Sequence, residues 1–459
     1  MTNVLIISQF FAPRNVVAAI RFTKMVKYLS RTGKYRFWVI CLASKDKELY
    51  DELLQRDLDD IKEYISVVSI EMDKSLLNAI KRYMCCKKGI VSKIEHTKVK
   101  DETNDIYYIL QEKFIHCQQK GWIGNLKRSF GGFLIGVNDI YDLGYEYKFV
   151  SKAKRVLGQI PLEKIDVMVS TYGDLGAVML AKKIKHSNPH LGWIVDYRDP
   201  VTAASYLKKK ILDLVVYKAD RMANYVTGAT SSCVGSGKCL RKFRMIPNGY
   251  DVEDIQDCVS AQNRKLVICY TGSLYYGKSN MKPLFKIVHE LSEENKLDKN
   301  QISIIYAGEQ FHILKKQAKQ YELDYILETK GMVSRKKALQ IQKHADILCA
   351  LTWNNVGNDD ILTGKVLEYF MMQKPILALV SGNKSESMIK RVIEEARIGY
   401  CLEEAGGDED YNEAKEWFLN KYNEFKENGR ITCNPRERIL EKYSCEKMAD
   451  KFRMLIERC

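Results

Sequence analysis

Short apolar runs rich in β-branched residues alternate with helix-forming stretches along almost the whole chain. The first run, VLIIS at 4–8, is followed by an amphipathic stretch at 16–30 and then by FWVICL at 37–42. Further runs of the same kind lie at 66–70, 166–172, 192–197 and 225–229. Regular alternation of strands and helices predicts parallel strands joined by crossover helices, which is an α/β fold.

The alternation restarts after a turn-rich break, IPNGYD at 246–251. The second series has apolar runs at 266–273, 302–308, 326–333, 346–353 and 375–381. A chain of 459 residues is also too long for one ordinary hydrophobic core. We therefore predict two doubly wound, Rossmann-like domains, 1–255 and 256–440, that face a ligand-binding cleft, with a terminal helix at 441–459.

The stretch from about 74 to 150 departs from the alternation and is predicted to be an insertion in the first domain. The formal net charge of the chain is +15, and Lys74 to Lys100 contains eight Lys or Arg residues and one acid. A basic surface favours phosphates, nucleic acid or an anionic membrane, although a solvated surface helix fits equally well. Trp122, Phe130 and Phe133 beside this charge leave a peripheral membrane contact open.

Several features point to a cytoplasmic protein without a metal site. No apolar run is long enough to cross a bilayer, and the N-terminal residues are predicted to be a buried strand and not a signal peptide. Thirteen cysteines without a CxxC spacing argue against disulfides and zinc. The acid clusters at 57–59 and 408–410 are assigned to an amphipathic helix and a polar loop.

Common nucleotide and hydrolase motifs do not occur. The first strand is followed by SQFFAPRN and not by GxGxxG, and SCVGSGKC at 232–239 lacks the first glycine of a P-loop and has Cys239 at the magnesium position. HExxH and GxSxG are also missing. Hydride transfer, ATP hydrolysis, and metalloprotease or serine hydrolase activity are therefore disfavoured.

The stretch TGKVLEYF at 363–370 predicts a helix that begins on Gly364, although glycine costs about 1 kcal/mol in a helix. Free backbone N–H groups at a helix start bind anions, and a glycine lets a phosphate approach closely. Lys365 adds charge, and Glu368 and Asp360 are placed to bind sugar hydroxyls. On this stretch alone, a surface helix whose acids favour the macrodipole is about as good an interpretation.

Five segments, in the same order, resemble glycosyltransferase family 4, whose members have the GT-B fold and transfer sugars from nucleotide sugars. The first is QFFAPRNVVAAIRFTKMVKYLSRTGKYRFWVICL. WIVDYRDPVT resembles a segment of members that build bacterial surface polysaccharides. The others are MIPNGYD, CYTGSLYYGKSNMKPLF and TGKVLEYFMMQKPILAL, where Asp360 stands in the place of a more common glutamate. The resemblance extends over nearly the whole chain and also implies that the terminal helix crosses back to the first domain.

The resemblance implies a role for each of several residues. Lys278, Asp360 and Asp199 are the expected catalytic residues, of which Lys278 neutralises the donor diphosphate. Arg14 and Arg198 are expected on the phosphate and acceptor side. Asp196 lies at the same edge, where a buried structural salt bridge is at least as good an interpretation, and Arg21 is better explained as structural. The expected donor-binding residues are Gly272, Ser273, Gly308, Glu309, Gly331, Val333, Thr363, Gly364, Lys365 and Glu368.

The predicted function is a retaining hexosyltransferase of surface polysaccharide biosynthesis that moves a sugar from a UDP-sugar to a hydroxyl of a glycan or lipid-linked acceptor. We expect no metal, no other cofactor and no nucleic acid partner. Two alternatives remain open. A nucleotide-sugar epimerase of the same fold would bind the same donor without an acceptor, and a non-catalytic module would bind anionic lipid or nucleic acid through residues 74–100.

Overall fold

The computed structural model describes residues 1–43, 50–72, 122–173, 175–203, 205–259, 262–274, 279–356 and 362–459, with backbone alone for 122–138. The basic stretch at 74–100 lies outside these residues, and the side chains of Trp122, Phe130 and Phe133 are not described.

The first domain is built on a seven-stranded parallel sheet of order β3-β2-β1-β4-β5-β6-β7. Its strands are β1 (Thr2–Ile7), β2 (Tyr35–Leu42), β3 (Ile65–Ile70), β4 (Val167–Tyr172), β5 (Gly192–Tyr197), β6 (Tyr225–Gly228) and β7 (Phe243–Met245). Its helices are α1 (Val17–Ser30), α2 (Glu52–Asp60), α3 (Trp122–Val156), α4 (Leu175–Ser187) and α5 (Tyr206–Met222). Strands β4 and β5 are buried along their whole length, as expected for strands covered on both faces.

The second domain has a six-stranded parallel sheet of order β10-β9-β8-β11-β12-β13. Its strands are β8 (Leu266–Thr271), β9 (Ile302–Ala307), β10 (Leu327–Thr329), β11 (Ile347–Trp353), β12 (Ile376–Ser381) and β13 (Gly399–Glu403). The helices are α6 (Lys282–Glu293), α7 (Phe311–Lys319), α8 (Arg335–His344), α9 (Gly364–Met372), α10 (Met388–Ala396), α11 (Gly407–Asn428), α12 (Glu437–Glu441) and α13 (Cys445–Ile456). The predicted pair of doubly wound α/β domains is thus confirmed.

Two strands and one helix start were not predicted. Strand β7 has only three residues and is partly exposed at the sheet edge, and β13 follows directly on α10 without an apolar run of its own. The acid cluster at 408–410 is in the first turn of α11 and not in a polar loop. Acids stabilise that position because the N-terminal end of a helix carries positive partial charge.

The last helix, α13, crosses back to the first domain, as predicted. Phe452 is fully buried and its ring centroid lies 6.2 Å from that of Phe22 in α1. The guanidinium carbon of Arg21 lies 5.1 Å from the Phe452 ring centroid. The chain therefore begins and ends in the same hydrophobic core.

Helix α3 precedes β4 and packs against β3 and α4. Phe149 and Val150, which fall in the stretch assigned to an insertion, are buried in the core beneath α3. This part of the stretch therefore belongs to the core of the first domain. Among the described residues, no helix has the length and apolar character needed to span a membrane, and the ten described cysteines are free.

Candidate active site

A cavity of about 300 Å³ lies at the carboxyl ends of the second domain's central strands. This edge of a doubly wound sheet is where such folds usually bind ligands. The first domain contributes Asn15, from the loop between β1 and α1. The other lining residues are Thr271, Gly272, Ser273, Ala307, Gly308, Glu309, Gln310, Met332, Val333, Arg335, Ala338, Lys365 and Glu368.

Glu368 is held in one orientation by three groups. Its Oε2 accepts hydrogen bonds from Lys365 Nζ at 2.8 Å and from Gln342 Nε2 at 3.1 Å. Its Oε1 lies 3.6 Å from Arg335 Nε. Gln342 is fixed in turn, because its amide also donates to Thr271 Oγ1 at the end of β8. A carboxylate fixed in this way is pre-organised to accept hydrogen bonds from a ligand.

The charges around Glu368 keep it ionised. Burial alone would raise the pKa of this carboxyl group, but the positive charges of Lys365 and Arg335 outweigh burial and hold the pKa below its ordinary value. Glu368 is therefore an acceptor of hydrogen bonds, and not a proton donor, at neutral pH.

Helix α9 begins on Gly364, as predicted, with Thr363 as an extended N-cap whose side chain makes no capping hydrogen bond. Apart from its chain neighbours and its own helix, no heavy atom of the described residues lies within 4 Å of the place where a Cβ of Gly364 would be. The helix start therefore presents open backbone beside Lys365 and Glu368. Such a start offers free N–H groups and positive partial charge to an anion.

Two loops of the second domain line the opposite side of the cavity. A Cβ at Gly308 would lie 2.2 Å from the Tyr306 hydroxyl group and 2.4 Å from the carbonyl oxygen of Gly272, so only glycine fits there. Gln310 Oε1 accepts hydrogen bonds from the backbone N–H of Leu274 and from Ser273 Oγ. Glu309 and Val333 line the cavity as well, whereas Gly331, with a φ of +65°, supports the loop that carries Val333.

The residues predicted on the acceptor side lie in the first domain and do not line this cavity. Arg198 Nε pairs with the exposed carboxylate of Asp199 at 2.7 Å. Arg14 stacks over the Phe10 ring, and its buried Nε has no hydrogen-bond partner in the described part of the chain. Arg21 and Asp196 form a fully buried ion pair at 2.8 Å, in agreement with the structural role expected for Arg21 and with the structural alternative for Asp196.

Lys278 and Asp360 lie outside the described residues, so their roles stay predictions. Several residues that line or support the cavity were not predicted, among them Asn15, Arg335 and Gln342. Arg335 and Gln342 are in α8, whose sequence RKKALQIQKH has a polar character typical of a surface helix. The only feature of the sequence that could have indicated these two residues is their spacing of seven, which places both side chains on one face of that helix.

A buried cluster of charges lies where α1 and α2 meet the segment before the second domain. Lys24 Nζ lies 2.6 Å from Asp57, 2.7 Å from Asp251 and 2.5 Å from Asp254. The three carboxylates are close enough together to bind a metal ion, but the Lys24 ammonium group is bonded to all of them. Burial alone would lower the pKa of Lys24, and the three carboxylates raise it instead. Lys27 is also paired with Asp57 and Asp251, and Arg335 with Asp254, so the cluster is a charge-balanced contact formed by the protein itself.

Comparison with known proteins shows the fold. No protein-family profile and no curated protein sequence matches the chain. Among solved structures, the chain is similar to Anabaena Alr3699/HepE in complex with UDP and glucose, with a TM-score of 0.55, 12% identity and full coverage of both chains.

The chain is also similar to the E. coli trehalose-6-phosphate protein bound with UDP-2-fluoro glucose, with a TM-score of 0.57, 10% identity and coverage of 100% of this chain and 99% of the other. The lipopolysaccharide outer core galactosyltransferase WaaB gives a TM-score of 0.50 at 11% identity, with coverage of 100% and 99%. The two sheets, the cleft and the returning terminal helix thus define the GT-B fold.

Proposed function

We propose that the protein is a retaining glycosyltransferase that moves a sugar from a UDP-sugar to a hydroxyl group of a glycan or lipid-linked acceptor in surface polysaccharide biosynthesis. The observation that carries the proposal is the fixed, ionised Glu368, which lies with Lys365 at the open start of α9 in the cavity between the domains. Two structures of the same fold contain UDP with glucose or UDP-2-fluoro glucose. The sequence resemblance to glycosyltransferase family 4 supports the finer assignment.

In this proposal the second domain holds the donor. The backbone N–H groups at Gly364 bind the diphosphate, and Glu368 accepts hydrogen bonds from the ribose hydroxyls. The loops that carry Gly308 and Val333 border the base. Asp360 binds hydroxyls of the transferred sugar.

The chemical step follows from where charge develops. As the bond between sugar and phosphate breaks, negative charge gathers on the leaving diphosphate. The start of α9 and Lys278 are pre-organised to stabilise that charge, which lowers the barrier. The acceptor hydroxyl attacks from the face that the diphosphate leaves, and its proton passes to the leaving phosphate. Arg14, Arg198 and Asp199 position the acceptor from the first domain, and closure of the cleft limits hydrolysis of the donor.

We propose that no metal takes part. The helix start and Lys278 supply the positive charge that a metal would otherwise bring to the diphosphate. The one group of described carboxylates that is close enough together for a metal ion is Asp57, Asp251 and Asp254, and the positive charges of Lys24, Lys27 and Arg335 already neutralise it. Activity should therefore be unchanged in excess EDTA, and a loss of activity that magnesium restores would contradict this part of the proposal.

Binding of UDP to the purified chain tests the donor site. Saturation at one hundred times the dissociation constant should stabilise the folded protein by about 2.7 kcal/mol, which a thermal-shift assay detects. UDP, GDP and their sugars should be compared in parallel, since the strongest shift identifies the nucleotide. If no nucleoside diphosphate raises the melting temperature, the proposed function is wrong.

We also propose contact with the surface of an anionic membrane. A hollow of about 860 Å³ between α3, α4 and α5 is lined by apolar residues and five basic residues, and by no carboxylate of the residues that the structure describes. The basic residues are Lys154, Lys182, Lys183, Lys218 and Arg221. The pKa of Lys182 is lowered by burial and by the positive charge of Lys218. An anionic partner would relieve the repulsion between these two cations.

Sedimentation with lipid vesicles tests this contact. The chain should sediment with vesicles that contain phosphatidylglycerol and not with purely zwitterionic vesicles. The double variant Lys182→Glu/Lys218→Glu should lose this binding. The control variant Lys315→Glu/Lys319→Glu, which makes the same change in charge on α7 of the second domain, should keep it. Equal losses in both variants would show general attraction, and retained binding in the first variant would place the contact elsewhere.

A further inference from the structure

Arg335 joins the donor cavity to the first domain. Its side chain is almost fully buried at the start of α8 and lies among three carboxylates. Nη2 donates to Asp254 Oδ2 at 2.6 Å. Nη1 lies 3.6 Å from Asp51 Oδ2, and Nε lies 3.6 Å from Glu368 Oε1. One guanidinium group of the second domain is therefore shared by Glu368, by the loop before α2 and by the segment between the domains.

The first-domain side of this contact is rigid. Asp254 is also bonded to Lys24 in α1 at 2.5 Å, and Asp51 accepts hydrogen bonds from the backbone N–H groups of Leu53 and Leu54 as the N-cap of α2. A guanidinium group presents its donors as a planar fork. The position of Asp254 therefore sets the direction in which the other nitrogens of Arg335 point.

The cavity side of the contact is incompletely bonded. Among the described residues, the buried Nε and Nη1 of Arg335 have no hydrogen-bond acceptor, and Asp51 Oδ2 has no donor. Buried polar groups without partners are costly. A hydrogen bond requires about 2.7–3.2 Å between N and O, so a shift of about 0.5 Å would turn both 3.6 Å contacts into hydrogen bonds.

We propose that Arg335 is a positioning residue, which holds Glu368 for the donor's ribose and couples donor binding to the contact with the first domain through Asp254 and Asp51. The proposal rests on the proposed donor site. When the ribose engages Glu368, the carboxylate and the guanidinium group tighten together, and the second domain is pulled onto Asp254 and Asp51. Donor binding and closure of the cleft are then one event.

The proposal differs from a purely structural ion pair in one testable respect. Asp254 lies outside the cavity lining, so a structural role predicts that its replacement changes stability and leaves UDP affinity unchanged. Coupling predicts that Asp254→Asn weakens UDP binding through Arg335. It also predicts that the two residues act as a unit, so that their effects are not additive.

Isothermal titration of the full-length chain with UDP separates the two roles. The variants are Arg335→Gln, Arg335→Lys, Asp254→Asn and the double variant Arg335→Gln/Asp254→Asn. Arg31→Gln is the matched control, because Arg31 pairs with Asp60 and Glu253 in the same region and does not contact Arg335. Urea unfolding of each variant reports stability separately from affinity.

Coupling predicts that Arg335→Gln and Asp254→Asn each raise the UDP dissociation constant by about tenfold, or about 1.4 kcal/mol. The double variant should bind no more weakly than Arg335→Gln. Arg335→Lys should restore little affinity, because an ammonium group cannot contact Asp254 and Glu368 together. Arg31→Gln should bind like the wild type. Small-angle scattering should show that UDP compacts the wild type and not Asp254→Asn.

The inference is overturned if Asp254→Asn is destabilised but keeps wild-type affinity, or if the effects of the two substitutions add. Either result, with a wild type that binds UDP, leaves the proposed function standing. A wild type that binds no UDP would instead overturn the donor site, and the coupling with it.

Discussion

Lys365 Nζ lies 2.8 Å from Glu368 Oε2, three residues further along α9, and this pair forms the wall of the cavity at the open start of that helix. Lys365 lies on the helix surface, whereas the Glu368 side chain is mostly buried. The pair therefore does more than an exposed ion pair of the same spacing, because it fixes a carboxylate at a place where a ligand can meet it.

Replacing Glu368 should weaken nucleotide binding. Glu368→Ala removes charge-assisted hydrogen bonds to the ribose, each worth about 1.5–3 kcal/mol. Titration with UDP should therefore show a large increase in the dissociation constant. Glu416→Ala, on an exposed face of α11, is the control and should bind like the wild type. Unchanged affinity in Glu368→Ala would show that the nucleotide binds elsewhere.

Replacing Lys278 should lower turnover more than affinity. The leaving diphosphate carries more negative charge in the transition state than in the bound donor, so a cation that stabilises it acts mainly on kcat. Steady-state kinetics of Lys278→Ala with a UDP-sugar should show a fall in kcat and a smaller change in KM. Lys282→Ala, on the exposed start of α6, makes the same change nearby. Our assignment of Lys278 is wrong if it behaves like Lys282.

The contact between α13 and the first domain should be a major source of stability. Phe452→Ala removes a fully buried ring between α1 and α13, which costs about 3–5 kcal/mol. Met454, on the same helix, is 44% exposed, and Met454→Ala should change the free energy of unfolding by less than about 0.5 kcal/mol. Urea unfolding of both variants checks the prediction, and equal losses would contradict it.

Glu253, which pairs with Lys27 and Arg31 beside the buried charge cluster, should make the protein sensitive to acid. Hydrogen bonds from Arg31 lower the pKa of Glu253 from 4.5 to about 2, and burial only partly opposes them. The unfolded chain therefore takes up this proton at a higher pH than the folded chain. The stabilisation is complete above about pH 4.5 and is lost as the pH falls toward 2.

Urea unfolding at several pH values between 7 and 3 measures this loss. Glu253→Gln should unfold with a shallower dependence on pH than the wild type, because one of the responsible carboxylates is gone. Glu416→Gln, which changes an exposed carboxylate, should keep the wild-type dependence. If Glu253→Gln keeps it as well, Glu253 does not contribute to the acid sensitivity.

The fold could be predicted from the sequence because it depends on local patterns. Apolar runs such as 166–172 and 346–353 mark strands that are buried on both faces, and their alternation with helices allows few topologies. The start of α9 at Gly364 was predictable for the same reason, since its sequence carries the whole feature. Strand β7 has no such pattern, because it lies at the sheet edge and is partly exposed.

The site was predictable only where a motif lies in one segment. Glu368 and Lys365 are three residues apart, and the sequence shows them together. Arg335, Asp254 and Asp51 come from three distant segments, and charged residues of this kind usually lie on the surface. Their burial and their pairing result from the packing of two domains, which no local spacing reports. Asn15 enters the cavity in the same way, from the facing domain.

Product analysis by NMR tests the central claim most directly. The purified chain is incubated with UDP-sugars, with and without a glycan and lipid extract as the acceptor. We predict release of UDP and formation of a glycoside with retained anomeric configuration only when the acceptor is present. The Glu368→Ala variant should form this product much more slowly. Conversion of the UDP-sugar to its epimer without any acceptor would contradict the claim and identify an epimerase.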